Sequence, residues 1–268
     1  GIPMVVGLGG VDPAAGSPAI VDGGEALLLL DPDAAMAERL ARRHADHAAQ
    51  QARDSFFLLK PAALKDGTRI QVTINVAGVD ELDHIDPACC DGIGLMRSEF
   101  LFRDGAPLPD EDEQYRAYRR FVEWAGGRPV TIRTLDIGGD KPVRGLTPEG
   151  EANPFLGLRG VRLTLARPDV FRTQLRALAR AAAHGDLKVM IPMVSIPAEL
   201  AQTAALLDAV MEDLQHDGVA CRRPPFGIMV EVPAVAVAPD LFHHAAFFSI
   251  GSNDLTQYVT ATARDGTL

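Results

Sequence analysis

The chain has 268 residues, 47% hydrophobic and 23% charged, enough for one large globular domain or one domain with part of another. A formal net charge of -10 with no basic block argues against nucleic acid or an anionic membrane surface as the main partner, and no apolar run reaches the length of a membrane span. Three cysteines, two of them adjacent at Cys89 and Cys90, make neither a disulfide framework nor a zinc site, and GIPMVVGLGG does not read as a secretory signal, so a cytoplasmic protein is expected.

In chain order, IPMVVGL and AIVDGGEALLLL read as two short strands joined by a Gly/Pro turn at residues 13–18. Two strands bury no core of their own, so residues 1–31 are expected to be the tail of a domain that begins upstream. No Gly or Pro falls between Asp33 and Lys60, and this Ala-rich, charged stretch predicts a long helix. Polar on most faces, it reads as a helical linker over residues 32–65.

A different rhythm follows. The apolar segments RIQVTINV, DGIGLM, PVTIRTL, LKVMIPMV, FGIMVEV and AFFSIG alternate with helical stretches at 111–124, 170–184, 198–215 and 235–244. Such repeats predict a parallel sheet covered by helices. No GxGxxG opens a helix after the first strand, which removes the main support for a dinucleotide fold. Arg97, Arg133, Glu231, Asn253 and Asp254 all fall at or just beyond a strand's C-terminal end, the rim where a barrel builds its site. The expectation is an α/β fold of the (β/α)8 TIM type over residues 66–268, truncated to about six strands, because a full barrel takes about 250 residues.

Glu231 and Asp254 suit a magnesium ion that keeps water or substrate in the rest of its shell; taken singly, Glu231 more often caps a helix and Asp254 more often starts one. Arg97, Arg133 and Arg159 suit bidentate recognition of phosphate or carboxylate; the competing reading is structural pairing with Glu99 or Asp136. Gly138 and Gly139 with Lys141 suit a phosphate loop or an ordinary turn. His243 and His244 invite a metal, but neighbours on a helix point apart, and none of the histidines is expected to be a nucleophile.

The runs GIGLMRSEFLF, RTLDIGGDKP, NPFLGLRGVR, MIPMV, GIMVEVPA and FFSIGSNDLTQY resemble, in order, the motifs of the phosphoenolpyruvate-protein phosphotransferases, enzyme I of the bacterial sugar phosphotransferase system. The N-terminal strands resemble the end of that family's swivelling phosphohistidine domain, and the long helix resembles its linker. The resemblance implies phosphoenolpyruvate bound by Arg97, Arg133 and Arg264 and touched by Asn253 and Asp254. It also implies Mg2+ on Glu231 and Asp254, with Lys141 and Arg159 lining the phosphate site. The activity it implies is transfer of the phosphoryl group to a histidine and on to the carrier HPr in sugar uptake, by a homodimer joined through the barrel. The family's Thr-Ser-His acceptor context and its Cys-Gly-Glu motif do not occur in this sequence, so no catalytic residue is assigned and the chain by itself is expected to be inactive. Before Arg264 the sequence reads ATAR where the family carries an acidic residue. Phosphoenolpyruvate synthase and pyruvate phosphate dikinase share the barrel and several motifs, but DIGGDK favours enzyme I. A non-catalytic dimerisation or regulatory fragment is the reading from another class.

Overall fold

The computed structural model describes Val5 and residues 18–139, 143–148 and 150–263, in two compact units, Gly1–Lys60 and Pro61–Leu268. In the first unit, β1 (Ala19–Asp22) and β2 (Leu27–Leu30) form an antiparallel hairpin with Ala19 opposite Leu30. AIVDGGEALLLL is therefore not the single strand expected. Asp22 folds it back, its Oδ1 accepting the N–H groups of Gly24 at 3.0 Å and Glu25 at 3.2 Å. Of the other expected strand, IPMVVGL, only Val5 is among the described residues.

Helix α1 (Ala34–Ser55) starts where Asp33 caps it, Oδ1 accepting from Met36 N–H at 2.7 Å, and it buries only Leu40. It is shorter than the expected linker helix. At its end the N–H groups of Phe57 and Leu58 turn to the carbonyls three residues back, which tightens the last turn, and Pro61 bars its continuation.

The second unit opens with a small antiparallel hairpin, β3 (Ala62–Ala63) against β4 (Arg69–Ile70). Then come β5 (Ile74–Val76), β6 (Ile93–Arg97), α2 (Glu111–Ala125), β7 (Val130–Arg133), α3 (Val161–Ala166) and α4 (Pro168–Ala182). They are followed by β8 (Leu187–Ile191), α5 (Pro197–His216), β9 (Phe226–Val230), α6 (Pro233–Val237), β10 (Phe248–Ile250) and α7 (Ser252–Thr260). Strands β5 to β10 make one parallel sheet in which each strand lies beside its predecessor. A doubly wound sheet reverses its order at a switch point; this one never does, which is the path of a (β/α) barrel wall.

All six expected strands are present, but RIQVTINV is divided between β4 and β5. Between them the Asp91 carboxylate takes Val72 N–H at 2.9 Å, which holds that residue out of the ladder. The helix expected at 235–244 is also divided. Pro239 has no N–H to donate, so α6 stops at Val237 and a 3-10 turn, Pro239–Phe242, follows.

Period-two alternation sorts the strand residues between two layers. Val130, Ile132, Leu187, Val189, Ile191, Ile228 and Val230 enter the core with Tyr118 and Phe121 of α2, Phe171 and Leu178 of α4, and Leu207 and Leu214 of α5. On the opposite side of the same strands Thr131, Arg133, Lys188, Met190 and Met229 line cavities. The apolar layer thus anchors each strand while its alternate residues are left free for chemistry. Among the described residues, no helix is long and apolar enough to cross a membrane.

Candidate functional site

Because β5 to β10 run parallel, their C-terminal ends share one rim. There a cavity of ≈ 370 Å3 is lined by Arg97, Arg133, Arg159, Glu231, Asn253 and Asp254, together with Asp136. Arg97 and Arg133 are the last residues of β6 and β7, Glu231 follows β9 by one residue, and Asn253 and Asp254 lie in the first turn of α7.

The arginines differ in what already holds them. Arg133 is buried: Nη2 donates to Glu99 Oε1, and Nη1 lies 3.0 Å from Asp136 Oδ2 and 3.7 Å from Met229 Sδ. Asp136 Oδ2 is shared with Arg159 Nη2 at 3.2 Å, and Arg159 Nη1 reaches Asp254 Oδ1 at 3.3 Å and the Tyr258 hydroxyl at 3.4 Å. Tyr258 in turn donates to the Phe155 carbonyl at 2.5 Å. The result is an alternating row of acid and base, Glu99–Arg133–Asp136–Arg159–Asp254, so the structural pairing weighed against ligand binding for Arg133 is present. Arg97 is exposed and has no carboxylate partner among the described residues.

Glu231 is buried and caps no helix; its Oε1 accepts the Met193 N–H at 2.8 Å. That N–H is aimed by a left-handed backbone at Met193 (φ 59°), which costs a non-glycine residue about 1 kcal/mol or more. Opposite, Gly251 leaves room for the carboxylate: a Cβ there would lie 2.8 Å from Glu231 Cβ and 2.9 Å from its Oε2. Gly251→Ala is therefore expected to displace Glu231 and, through a Met229 Cγ also only 2.9 Å away, to lower the melting temperature, and to weaken cation binding at this rim by roughly tenfold or more, as read by calorimetric titration beside a melting curve.

Four carboxylates, of Glu99, Asp136, Glu231 and Asp254, lie beside the two buried guanidiniums of Arg133 and Arg159. Glu231 is pushed up to about 7, by burial first and then by Asp136, with Arg133 and the Met193 N–H opposing. Glu99 is also raised, again by burial first, and its Oε2 is buried without a hydrogen-bond partner among the described residues, as is Arg133 Nε. This donor set fits a divalent cation: hard oxygens and space beside them. No cluster of three or more His, Cys, Asp or Glu residues that could hold a metal occurs among the described residues, so an ion on Glu231 and Asp254 would complete its shell with water or substrate.

Lys141 and Arg264 lie outside the described residues. Gly138 and Gly139 line a neighbouring cavity instead, and Gly138 (φ 109°) packs on the Arg159 backbone, where a Cβ would sit 2.7 Å from Arg159 Cβ. Gly138 thus seats Arg159, while Gly139 lies against Phe155. His243 and His244 are not on an α-helix: they follow the 3-10 turn, and their rings lie 4.0 Å apart. Cys89, Cys90 and Cys221 are free thiols, and Cys89 is raised by burial and by Cys90, which disfavours the thiolate. Sequence reasoning missed Asp136 as a residue lining the site and missed Tyr258 altogether. The available signals were the three-residue step from Arg133 to Asp136, and Tyr258 one helical turn beyond Asp254.

The fold and site define a (β/α)-barrel domain whose rim gathers arginines and carboxylates around one cavity. Residues 51–267 match the family described as PEP-utilising enzyme, PEP-binding domain, and the chain belongs to that family. It is 44% identical over 270 residues to the phosphoenolpyruvate-protein phosphotransferase of Haloferax volcanii, covering 98% of this chain and 46% of the relative. The protein of the same name from Geobacillus stearothermophilus is 40% identical over 267 residues, covering 98% and 46%. The multiphosphoryl transfer protein of Rhodobacter capsulatus is 40% identical over 266 residues, covering 98% and 32%. The chain thus spans less than half the length of these relatives.

Proposed function

We propose that the rim binds phosphoenolpyruvate as its magnesium complex, within a phosphotransferase that passes the phosphoryl group to a protein histidine and on to HPr in sugar uptake. In this reading residues 1–31 are the tail of the swivelling phosphohistidine domain, 32–65 its linker and 66–268 the phosphoenolpyruvate-binding barrel. The protein is cytoplasmic and dimerises through the barrel. The names of the relatives support phosphotransferase over synthase or dikinase.

The observation that carries the proposal is Arg97: an arginine without a carboxylate partner among the described residues, on the wall of a cavity that also holds two buried arginines and the Glu231 and Asp254 carboxylates. Its planar fork takes two oxygens of a phosphate or carboxylate at once. Arg133 and Arg159, already held by Glu99, Asp136 and Asp254, present fixed positive charge that need not reorganise as negative charge shifts on the substrate. Glu231 and Asp254 would hold magnesium, which when bound supplies positive charge to the phosphoryl and carboxylate oxygens. Asn253, exposed at the start of α7, donates to the substrate, and Lys141 and Arg264 add positive charge. No residue of this chain is assigned a bond-making role. The barrel's contribution is to orient the donor and neutralise its charge, which accounts for much of phosphoryl-transfer catalysis.

The test is titration of phosphoenolpyruvate in the presence of magnesium. Arg97→Ala is expected to weaken binding roughly ten- to a hundredfold, the worth of a charged hydrogen-bonding pair, with an unchanged melting temperature because the side chain is exposed. Unchanged affinity would remove Arg97 from the site. An absolute need for ATP in phosphorylation of the full-length protein would favour the synthase or dikinase reading instead.

A further inference from the structure

Part of the site hangs on two segments, residues 97–101 at the end of β6 and residues 134–137 after β7. The first carries Arg97 and Glu99, the second Asp136, with Arg133 at its root. One side chain from the helical layer joins them. Gln174 of α4 accepts the Leu135 N–H on Oε1 at 3.0 Å and donates through Nε2 to Ser98 Oγ and to the Tyr118 hydroxyl, each at 3.0 Å. Leu135 lies between Arg133 and Asp136, and Ser98 lies between Arg97 and Glu99.

The amide has one way to sit. A flip would set NH2 against the Leu135 N–H, two donors face to face. On the far side the row is closed by Tyr118, whose hydroxyl donates to Gln114 Oε1 at 3.0 Å, and by Gln114 Nε2, which donates to the Pro109 carbonyl at 3.0 Å. Gln174, Ser98, Tyr118 and Gln114 are each no more than 1% exposed, so water does not stand in for a lost partner. A buried polar row in which every link has its partner specifies one geometry. Here that geometry is the placement of the segment after Arg97 against the segment after Arg133.

We infer that Gln174 is a positioning residue: without touching the ligand, it ties the segment after Arg97 to the segment after Arg133, just beyond the point where the β6–β7 ladder pairs these two arginines. The inference rests on the reading of this rim as a phosphoenolpyruvate site, but its structural half can be read without ligand. Two measurements on the full-length protein test it, hydrogen–deuterium exchange of residues 97–101 and 134–137 and titration with phosphoenolpyruvate and magnesium.

Gln174→Met fills the same space and strands the Leu135 N–H. It is expected to raise exchange in both loops while α5 keeps its protection, and to weaken phosphoenolpyruvate by about tenfold, with a KM effect larger than the kcat effect. Tyr118→Phe breaks the row beyond Gln174 but keeps the bonds to Leu135 and Ser98, so it lowers the melting temperature and leaves affinity within about twofold. Should Gln174→Met not fold, Ser98→Ala cuts the link to the Arg97 loop alone and is expected to loosen residues 97–101 and weaken binding in the same sense. Unchanged loop exchange in Gln174→Met or Ser98→Ala overturns the inference. So does loosening without loss of affinity, or a Tyr118→Phe affinity loss as large as that of Gln174→Met. If the unmodified protein does not bind phosphoenolpyruvate, the proposed function fails, and loop exchange still decides whether Gln174 ties the loops.

Discussion

Arg133→Met should abolish phosphoenolpyruvate binding and destabilise the barrel domain together, and the two losses should be separable. Removing the guanidinium leaves Glu99 and Asp136 facing one another in a buried place. Breaking a buried pair from one side typically costs about 3–5 kcal/mol, because the remaining charge is uncompensated. Affinity should fall by at least about a hundredfold, since the variant loses a fixed positive charge and keeps the negative ones.

The stability loss has a predictable pH dependence. Glu99 is a carboxylate raised in the folded state by burial, with Arg133 among the groups holding it down. Without Arg133 its folded pKa rises further. A raised carboxylate costs the fold nothing below its unfolded pKa, near 4.5, and costs most above its folded one. The gap between Arg133→Met and the parent should therefore narrow as pH falls from 8 toward about 4.5 in urea titrations. Adding Glu99→Gln should recover part of the stability at pH 8 and none of the binding. A pH-independent gap would mean that Glu99 is not the group left stranded.

How much of this was legible follows from what each feature depends on. The strands and their rim were legible because they rest on local pattern: apolar runs of strand length, each ending in a charged or polar residue such as Arg97, Arg133 or Glu231. The hairpin at Asp22 was missed because a Gly-Gly pair inside an apolar stretch was read through rather than as a turn, although an Asp just before it is the usual turn acceptor. The break at Pro239 carried a plain signal that was not used. The ionic row was legible only as alternatives, since nothing local says that Asp136 turns to Arg133 and Arg159 at once. Gln174 is the more instructive case. It lies three residues from Phe171 and four from Leu178, on the apolar face of α4, and a polar residue there is a sign of a buried partner. Which partner depends on two loops about 40 and 75 residues away in sequence, which only the folded chain brings together.

Glu231→Gln should make the metal-free protein more stable and the site less able to bind. The folded pKa of Glu231 is about 7 against an ordinary 4.5, with burial the first cause and Asp136 the next. Between those values the folded state holds more protons than the unfolded one, so stability falls as pH rises through that range, and above about 7 the buried charge exerts its full cost. A shift of this size corresponds to roughly 3 kcal/mol, an upper bound because the surroundings relax. The amide keeps an oxygen for the Met193 N–H and removes the repulsion from Asp136 and Asp254. In chelator at pH 8 the variant should thus unfold at higher denaturant than the parent, with the advantage gone by about pH 4.5. At pH 8 the same variant should need at least about tenfold more magnesium for phosphoenolpyruvate binding, because a neutral oxygen is the poorer ligand for a hard cation. A variant that gains no stability in chelator at pH 8 would mean that Glu231 carries no buried charge. Equal magnesium dependence would take Glu231 out of the cation site. Both outcomes as expected would mean that the domain gives up stability at Glu231 to hold a charge that Arg133 and the Met193 N–H offset only in part and the bound cation offsets further.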